Sequence, residues 1–395
     1  FSTIVAPPMP IRLVYLVALI MPAYLYAPNL LVPVLACFTS VAAYGFSCSY
    51  MPTELHYYLI IMFPLLGFGL QKNLKTQRPS VLFTCFCLYV LCIDLLKGGK
   101  LENIDYSILV VLISFFFVSK DGHEESSYIL SFIMVSLIIC LYFFTYGQSG
   151  AVEVSEDGRT AWKDSNYLGN VCGMGIVLAY NVLVNNLYTN KKFKYLCLLT
   201  VIVGVMMIVL NASRGAFLSM TVAITIITLF ARIKTISKFG IVIAVSLSVV
   251  TMYSLGLFEV LEERVMSDDG TGNARTIIWA AKLDAYSHLS LLEKVFGSGY
   301  RKGFELAIPG GFGFHCDYIA WLVDYVGLLF FISLLIYPLK LVWNRQSQRP
   351  IVLSLILFLV TCCSTLEPLT AGRLAYWYFY MLIVLFARWS SQQAN

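Results

Sequence analysis

The sequence predicts an all-α, polytopic membrane protein, and three observations lead there. Hydrophobic residues make up 59% of the 395 and charged residues only 12%, with a mean hydropathy of +0.79, too apolar for a soluble globular chain. The apolar residues come in blocks of about 16 to 25, the length of a bilayer-spanning helix. Inside those blocks polar and apolar residues do not alternate, which argues against the short two-faced strands of a membrane barrel.

Taken in order, spans are expected over residues 11–27, 29–47, 57–70, 81–96, 105–118, 127–146, 167–186, 195–211, 214–231, 239–256, 317–342, 351–367 and 373–388. The count is about 12–13 transmembrane helices, because only Ala27-Pro28-Asn29 separates the first two and the spans at 57–70 and 105–118 are short. Residues 1–395 form one membrane domain on this reading. The opening FSTIVAPPMP has no basic region and no small-residue cleavage site, so the first span is expected to act as its own insertion signal.

Lysine and arginine in the short loops set the orientation. Lys72, Lys75 and Arg78 mark one side. Alternation brings Lys120, Lys191, Lys192, Lys194, Arg232, Lys234, Lys238, Lys340, Arg345, Arg349 and Arg388 to that same side, read as the cytoplasm. The other side receives an outer loop at 147–166, a large outer loop at 257–316, and the tight turns at 211–215 and 367–373. The net charge of +5 follows from this pattern, and no basic, aromatic-interleaved stretch points to nucleic acid. Most of the 11 cysteines sit in apolar blocks, and Cys85, Cys87 and Cys92 lack metal-binding spacing, so they read as small buried hydrophobes with no disulfide implied.

Residues able to carry chemistry concentrate in the 257–316 loop and at span ends. Arg214 stands in Leu210-Asn211-Ala212-Ser213-Arg214-Gly215-Ala216, a hairpin tip where a hydrophobic turn gains nothing from an arginine. It reads as an anion clamp or as a snorkelling interfacial residue. Arg275 follows the flexible run Gly270-Thr271-Gly272-Asn273-Ala274. With Asn273 as N-cap it falls in the first turn of a helix, where a cation opposes the helix dipole unless an anion lies there.

His315, in Gly313-Phe314-His315-Cys316-Asp317, is placed to take a proton from a hydroxyl at the mouth of a membrane cavity, with Asp317 or Asp324 to orient or assist it. The plain alternative is an interfacial histidine at a helix start. His56, His123 and His288 read as solvated. The 147–166 loop carries Glu153, Glu156, Asp157, Arg159 and Lys163, a solvated face, and then Asp164 and Asn166, which cap a helix or bind sugar hydroxyls. Gly297-Ser298-Gly299 reads as a turn, and Arg301 just beyond it is a further candidate for binding substrate. With no DxD, HExxH, P-loop or GxGxxG pattern, neither a metal nor a nucleotide cofactor is expected.

The combination resembles the O-antigen polymerase and ligase superfamily of bacterial envelope glycosyltransferases. The resemblance is carried by Ser213-Arg214-Gly215, by Gly272-Asn273-Ala274-Arg275 with Trp279 four residues on, and by Val295-Phe296-Gly297-Ser298-Gly299. His315-Cys316-Asp317-Tyr318, Val323-Asp324-Tyr325-Val326-Gly327 and Asp164-Ser165-Asn166-Tyr167-Leu168-Gly169 complete it. It covers residues 160–330; the first 150 residues match no motif of the family.

The resemblance implies a lipid-dependent glycosyltransferase fold of the GT-C-like type, multi-pass in the bacterial inner (cytoplasmic) membrane, with its site on the periplasmic face. The implied donor and acceptor are polyprenyl-pyrophosphate-linked glycans, and the implied chemistry is independent of metal and of any cofactor. Arg214 and Arg275 match the arginines that neutralise the leaving pyrophosphate. His315 matches the base on the acceptor hydroxyl, with Asp317 beside it, and Asp164, Asn166, Arg301 and Asp324 are candidates for holding substrate. A chain-length regulator or a flippase is the implied protein partner. Cys316 departs from the asparagine usual after the histidine in the ligases, and a polymerase of O-antigen repeats is favoured over a ligase acting on lipid A-core. A glycan or anion transporter would also explain the spans and Arg214, but the chain shows no duplicated half.

Overall fold

The computed structural model describes residues 78–99, 101–118, 125–146, 153–154, 160–161, 165–188, 190–210, 213–231, 275–299, 316–325, 327–366 and 373–392, with a few shorter stretches. The expected spans at 11–27, 29–47, 57–70 and 239–256 lie largely outside the described residues.

Among the described residues the chain is helical: α1 (Val81–Gly98), α2 (Asn103–Ser114, continued by a 3-10 turn Phe115–Phe117), α3 (Glu125–Tyr146), α4 (Ser165–Val184), α5 (Lys191–Leu210), α6 (Arg214–Phe230), α7 (Arg275–Ser287), α8 (Leu291–Phe296), α9 (Asp317–Val323), α10 (Leu328–Leu341), α11 (Arg349–Thr365) and α12 (Leu374–Gln392). The 147–166 loop contributes a minimal antiparallel pair, β1 (Glu153–Val154) and β2 (Thr160–Ala161), with Glu153 opposite Ala161. Helices α1 to α6, α11 and α12 fall within a few residues of the expected spans. The expected span at 317–342 is instead two helices, α9 and α10, separated at Asp324–Gly327.

Among the described residues one helix, α5, is long and apolar enough to cross a membrane: its 20 residues at about 1.5 Å each match a hydrocarbon core of roughly 30 Å. Its outward stripe is apolar too, with Tyr195, Leu198, Leu199, Ile202 and Met206 all exposed. The same holds for α1, where Phe83, Phe86, Cys87, Val90 and Ile93 are buried at helical spacing while Val81, Leu88, Leu95 and Leu96 face out. An apolar outer face on an apolar helix suits lipid rather than water. Cys85 and Cys92 lie on that outer stripe and are exposed, unlike the buried Cys87, Cys140, Cys172, Cys197, Cys362 and Cys363.

The chain divides into two compact units, each assembled from discontinuous stretches. The first comprises Phe1–Ser131, Ala274–Tyr337 and Cys363–Leu385. Its core is aromatic: Phe86 lies 5.0 Å from Trp321, 5.3 Å from Phe330 and 5.7 Å from Trp377, and Phe83 lies 5.9 Å from both Phe115 and Tyr380. Ser80 starts α1 by accepting the N–H of Phe83 at 3.1 Å, and Gly99 ends it in the left-handed region.

The second unit comprises Phe132–Asn273, Pro338–Cys362 and Phe386–Asn395. Its axis is α4, buried along residues 169–182. Small residues let its neighbours in. A Cβ on Gly169 would stand 2.7 Å from Ser213 of the α6 cap, and one on Gly175 would stand 2.1 Å from the Ser136 hydroxyl of α3. Tyr180 and Thr228 hydrogen-bond at 2.7 Å further along, so α4 and α6 run parallel with their N-termini at one end.

Candidate functional site

Arg214 is the first residue of α6, half-buried, directly after the buried Ser213. Because Gly169 presses on Ser213 and Ala216, the N-terminal turn of α4, which contains Asn166, lies beside the N-terminal turn of α6. Neither helix has an acidic residue in its first turn. Two helix N-termini, each equivalent to about half a positive charge, therefore sit side by side with an arginine at the same end. Such an end suits anions, because helix N-terminal backbone N–H groups and a guanidinium fork can meet one phosphate together.

Arg275 has the same placement in the other unit: it is the first residue of α7, again with no acidic residue in the first turn. The first-turn position expected for it is the one observed. His315, Arg301 and Asp164 lie outside the described residues.

The two aspartates expected near His315 are both buried. Asp317, 0% exposed, opens α9, where its negative charge suits the helix N-terminus. Its Oδ2 accepts the N–H of Leu369 at 3.1 Å and its own N–H donates to the Leu366 carbonyl at 3.1 Å. The carboxylate thus pins the turn between α11 and α12 to the start of α9. Asp324, 2% exposed, stands at the interruption between α9 and α10.

Among the described residues, four of the carbonyls at that interruption have a donor other than an α-helical N–H. Gly327 N–H donates to Trp321 O at 3.0 Å, the Ser298 hydroxyl to Val323 O at 3.1 Å, and Gly299 N–H to Asp324 O at 3.0 Å. The Tyr89 hydroxyl of α1 donates to Tyr325 O. Buried backbone broken out of a helix persists only when it is satisfied in this way. Two of these donors come from Gly297-Ser298-Gly299, which is not the expected turn but an extended link after α8 whose two glycines have φ +83° and +94°, a region that favours glycine.

Sequence reasoning missed three features here. The first is α8, which the Ser290-x-x-Glu293 capping box announces: Glu293 N–H donates to Ser290 Oγ at 3.3 Å and Ser290 N–H to Glu293 Oε2 at 3.1 Å. The second is a pair of buried aspartates, Asp94 of α1 and Asp105 of α2, whose signal was an ionisable residue inside an apolar run. The third is Lys282, 0% exposed on α7, the helix that packs against α9 through Tyr286 and Ala320. His288 reads as expected, exposed and 3.8 Å from Asp284 on the outside of α7.

In comparison with known proteins, no family model matches the chain and no curated protein matches it either.

Proposed function

We propose that the chain is a polytopic membrane glycosyltransferase of GT-C-like fold that polymerises polyprenyl-pyrophosphate-linked O-antigen repeats at the periplasmic face of a bacterial inner membrane. The observation that carries the proposal is shared by Arg214 and Arg275: each is the first residue of its helix, with no acidic residue in that turn. A cation there opposes the helix dipole at a cost of about 0.3–1 kcal/mol, a cost that a bound anion reverses. The resemblance in residues 160–330 supplies the identity of the anion, a donor pyrophosphate.

In the reaction, the acceptor hydroxyl oxygen forms a bond to the anomeric carbon as that carbon's bond to the pyrophosphate oxygen breaks. The proton passes to His315, and the negative charge collects on the leaving pyrophosphate. Guanidinium groups placed beforehand in a poorly hydrated site stabilise that charge more than water does. Asp317, tied to the N–H of Leu369, acts by holding the segment next to His315 in position rather than by touching substrate. Asp164, Asn166, Arg301 and Asp324 serve the glycan or the backbone that surrounds it.

Two measurements test the proposal. The first is topology. A single cysteine placed at exposed Ser290, in a chain cleared of its own cysteines, is expected to react with an impermeant thiol reagent from the periplasmic side. A cysteine at Lys191 is expected to react only after lysis of the inner membrane, and the reverse pattern sinks the assignment of sides. The second is deletion of the gene in its host. Loss of a polymerase leaves lipopolysaccharide capped with a single repeat. Bare core with long polymer stranded on the polyprenyl carrier identifies a ligase instead, and an unchanged glycan profile leaves only a transporter.

A further inference from the structure

We propose that Asp94 and Asp105 hold one proton between their carboxyl groups, a buried proton-binding site that Tyr325 links to the interruption between α9 and α10. Asp94 is 1% exposed, and Asp105 and Tyr325 are 0% exposed. The Tyr325 hydroxyl donates to Asp94 Oδ2 at 3.0 Å. Asp105 Oδ2 accepts the N–H of Glu102 at 2.8 Å, which occupies one of its two oxygens. Its other oxygen, Oδ1, is buried and has no donor among the described residues.

The Asp94 carboxyl lies within hydrogen-bonding reach of Asp105. An ionised carboxylate only accepts hydrogen bonds, so two of them cannot hydrogen-bond to each other. A proton on one of the pair supplies the missing donor to Asp105 Oδ1 and removes one of two like charges in a place where water cannot screen them. A buried Oδ1 left without a donor is destabilising, and the shared proton removes that penalty.

The groups around the pair favour one charge rather than two or none. Asp105 lies in the first turn of α2, whose dipole stabilises one negative charge. Cys87 on α1 and Glu102 at the α2 cap face Asp105, and Asp324 joins Asp94 and Asp105 in the field at the Tyr325 hydroxyl. These neighbours are acidic or neutral, and the cation Lys97 stands three residues after Asp94 on α1. The buried cation Lys282 belongs to α7, packed on α9. The site is independent of the glycan-transfer proposal and stands whatever becomes of it.

The test is infrared spectroscopy of the full chain in lipid nanodiscs, read at the C=O stretch of a protonated carboxylic acid, which moves on transfer to D2O. Asp94→Asn and Asp105→Asn are each expected to lose the same acid band, since the remaining carboxylate then accepts from the new amide and needs no proton. The amide also keeps the hydrogen bond, so both variants are expected to elute as folded protein. If either is not recovered folded, Tyr325→Phe serves: it keeps the pair but removes the donation to Asp94, and the band is expected to shift. No acid band in the wild type, a band untouched by any of these changes, or a band lost in only one of the two asparagine variants would overturn the proposal.

Discussion

Replacing Arg214 or Arg275 by alanine is expected to abolish polymer while each protein stays in the membrane at wild-type abundance. Removing one preplaced donor from a developing oxyanion costs on the order of 3 kcal/mol, about two powers of ten in rate, and polymer length compounds the loss over successive additions. Lysine is expected to restore little, because it keeps the charge but loses the planar fork that meets two phosphate oxygens at once. Arg214→Asp separates function from fold. A carboxylate at the start of α6 suits the helix dipole, so this variant is expected to unfold at an equal or slightly higher temperature while making no polymer. The readouts are lipopolysaccharide ladders from a complemented deletion strain and thermal unfolding of purified protein. Normal ladders from both alanine variants would return the arginines to the role of interfacial residues.

Gly297→Ala is expected to be the most damaging single methyl in the first unit. At φ +83° and ψ 158° the backbone lies in a region essentially reserved for glycine, where a side chain costs about 1–3 kcal/mol, and the added Cβ would stand 2.5 Å from the Asp324 carbonyl oxygen and 3.0 Å from the Tyr325 backbone. Neither neighbour can move without unseating hydrogen bonds at the interruption, so the total is expected to exceed about 2 kcal/mol. Gly99→Ala is the control: its φ is +67°, but an added Cβ meets nothing within 4 Å, so only the conformational cost remains. Thermal unfolding in detergent, followed by a dye reacting with the buried Cys87, Cys362 and Cys363 after replacement of the exposed Cys85 and Cys92 by serine, reads both variants. Equal losses for the two glycines would mean that the link at Gly297 is not clamped against Asp324.

The helices were legible because hydropathy reports them directly. Their ends were less so: α5 begins at Lys191, four residues before the apolar run, because lysine is a good helix former and its charge does not stop a helix. The interruption after Val323 was not legible at all. Asp324-Tyr325-Val326-Gly327 is a short polar dip in an apolar run, and what breaks the helix is donors brought from elsewhere, the Ser298 hydroxyl, Gly299 N–H and the Tyr89 hydroxyl. Hydropathy cannot encode such partners. In the candidate site, Arg214 and Arg275 were legible because each follows turn residues and opens an apolar or amphipathic run. Asp94 is legible as a charge inside the apolar run Cys92-Ile93-Asp94-Leu95, whereas its pairing with Asp105 depends on packing and has no local signal. The burial of Asp317 and Asp324 depends on packing and had no local signal.

The interruption between α9 and α10 also bears on how the chain is made. Seven residues of α9 extend about 10 Å and fourteen of α10 about 21 Å, so neither alone reaches across a hydrocarbon core of roughly 30 Å. A translocation machinery that samples emerging segments by their hydrophobic length meets here two that are too short, with bare carbonyls between them. The tyrosine that covers one of those carbonyls was synthesised 236 positions earlier. In the proposed membrane setting this part of the chain therefore settles only against an α1 already in place, and biogenesis has an obligatory order in which the N-terminal helices act as an internal template for the C-terminal third.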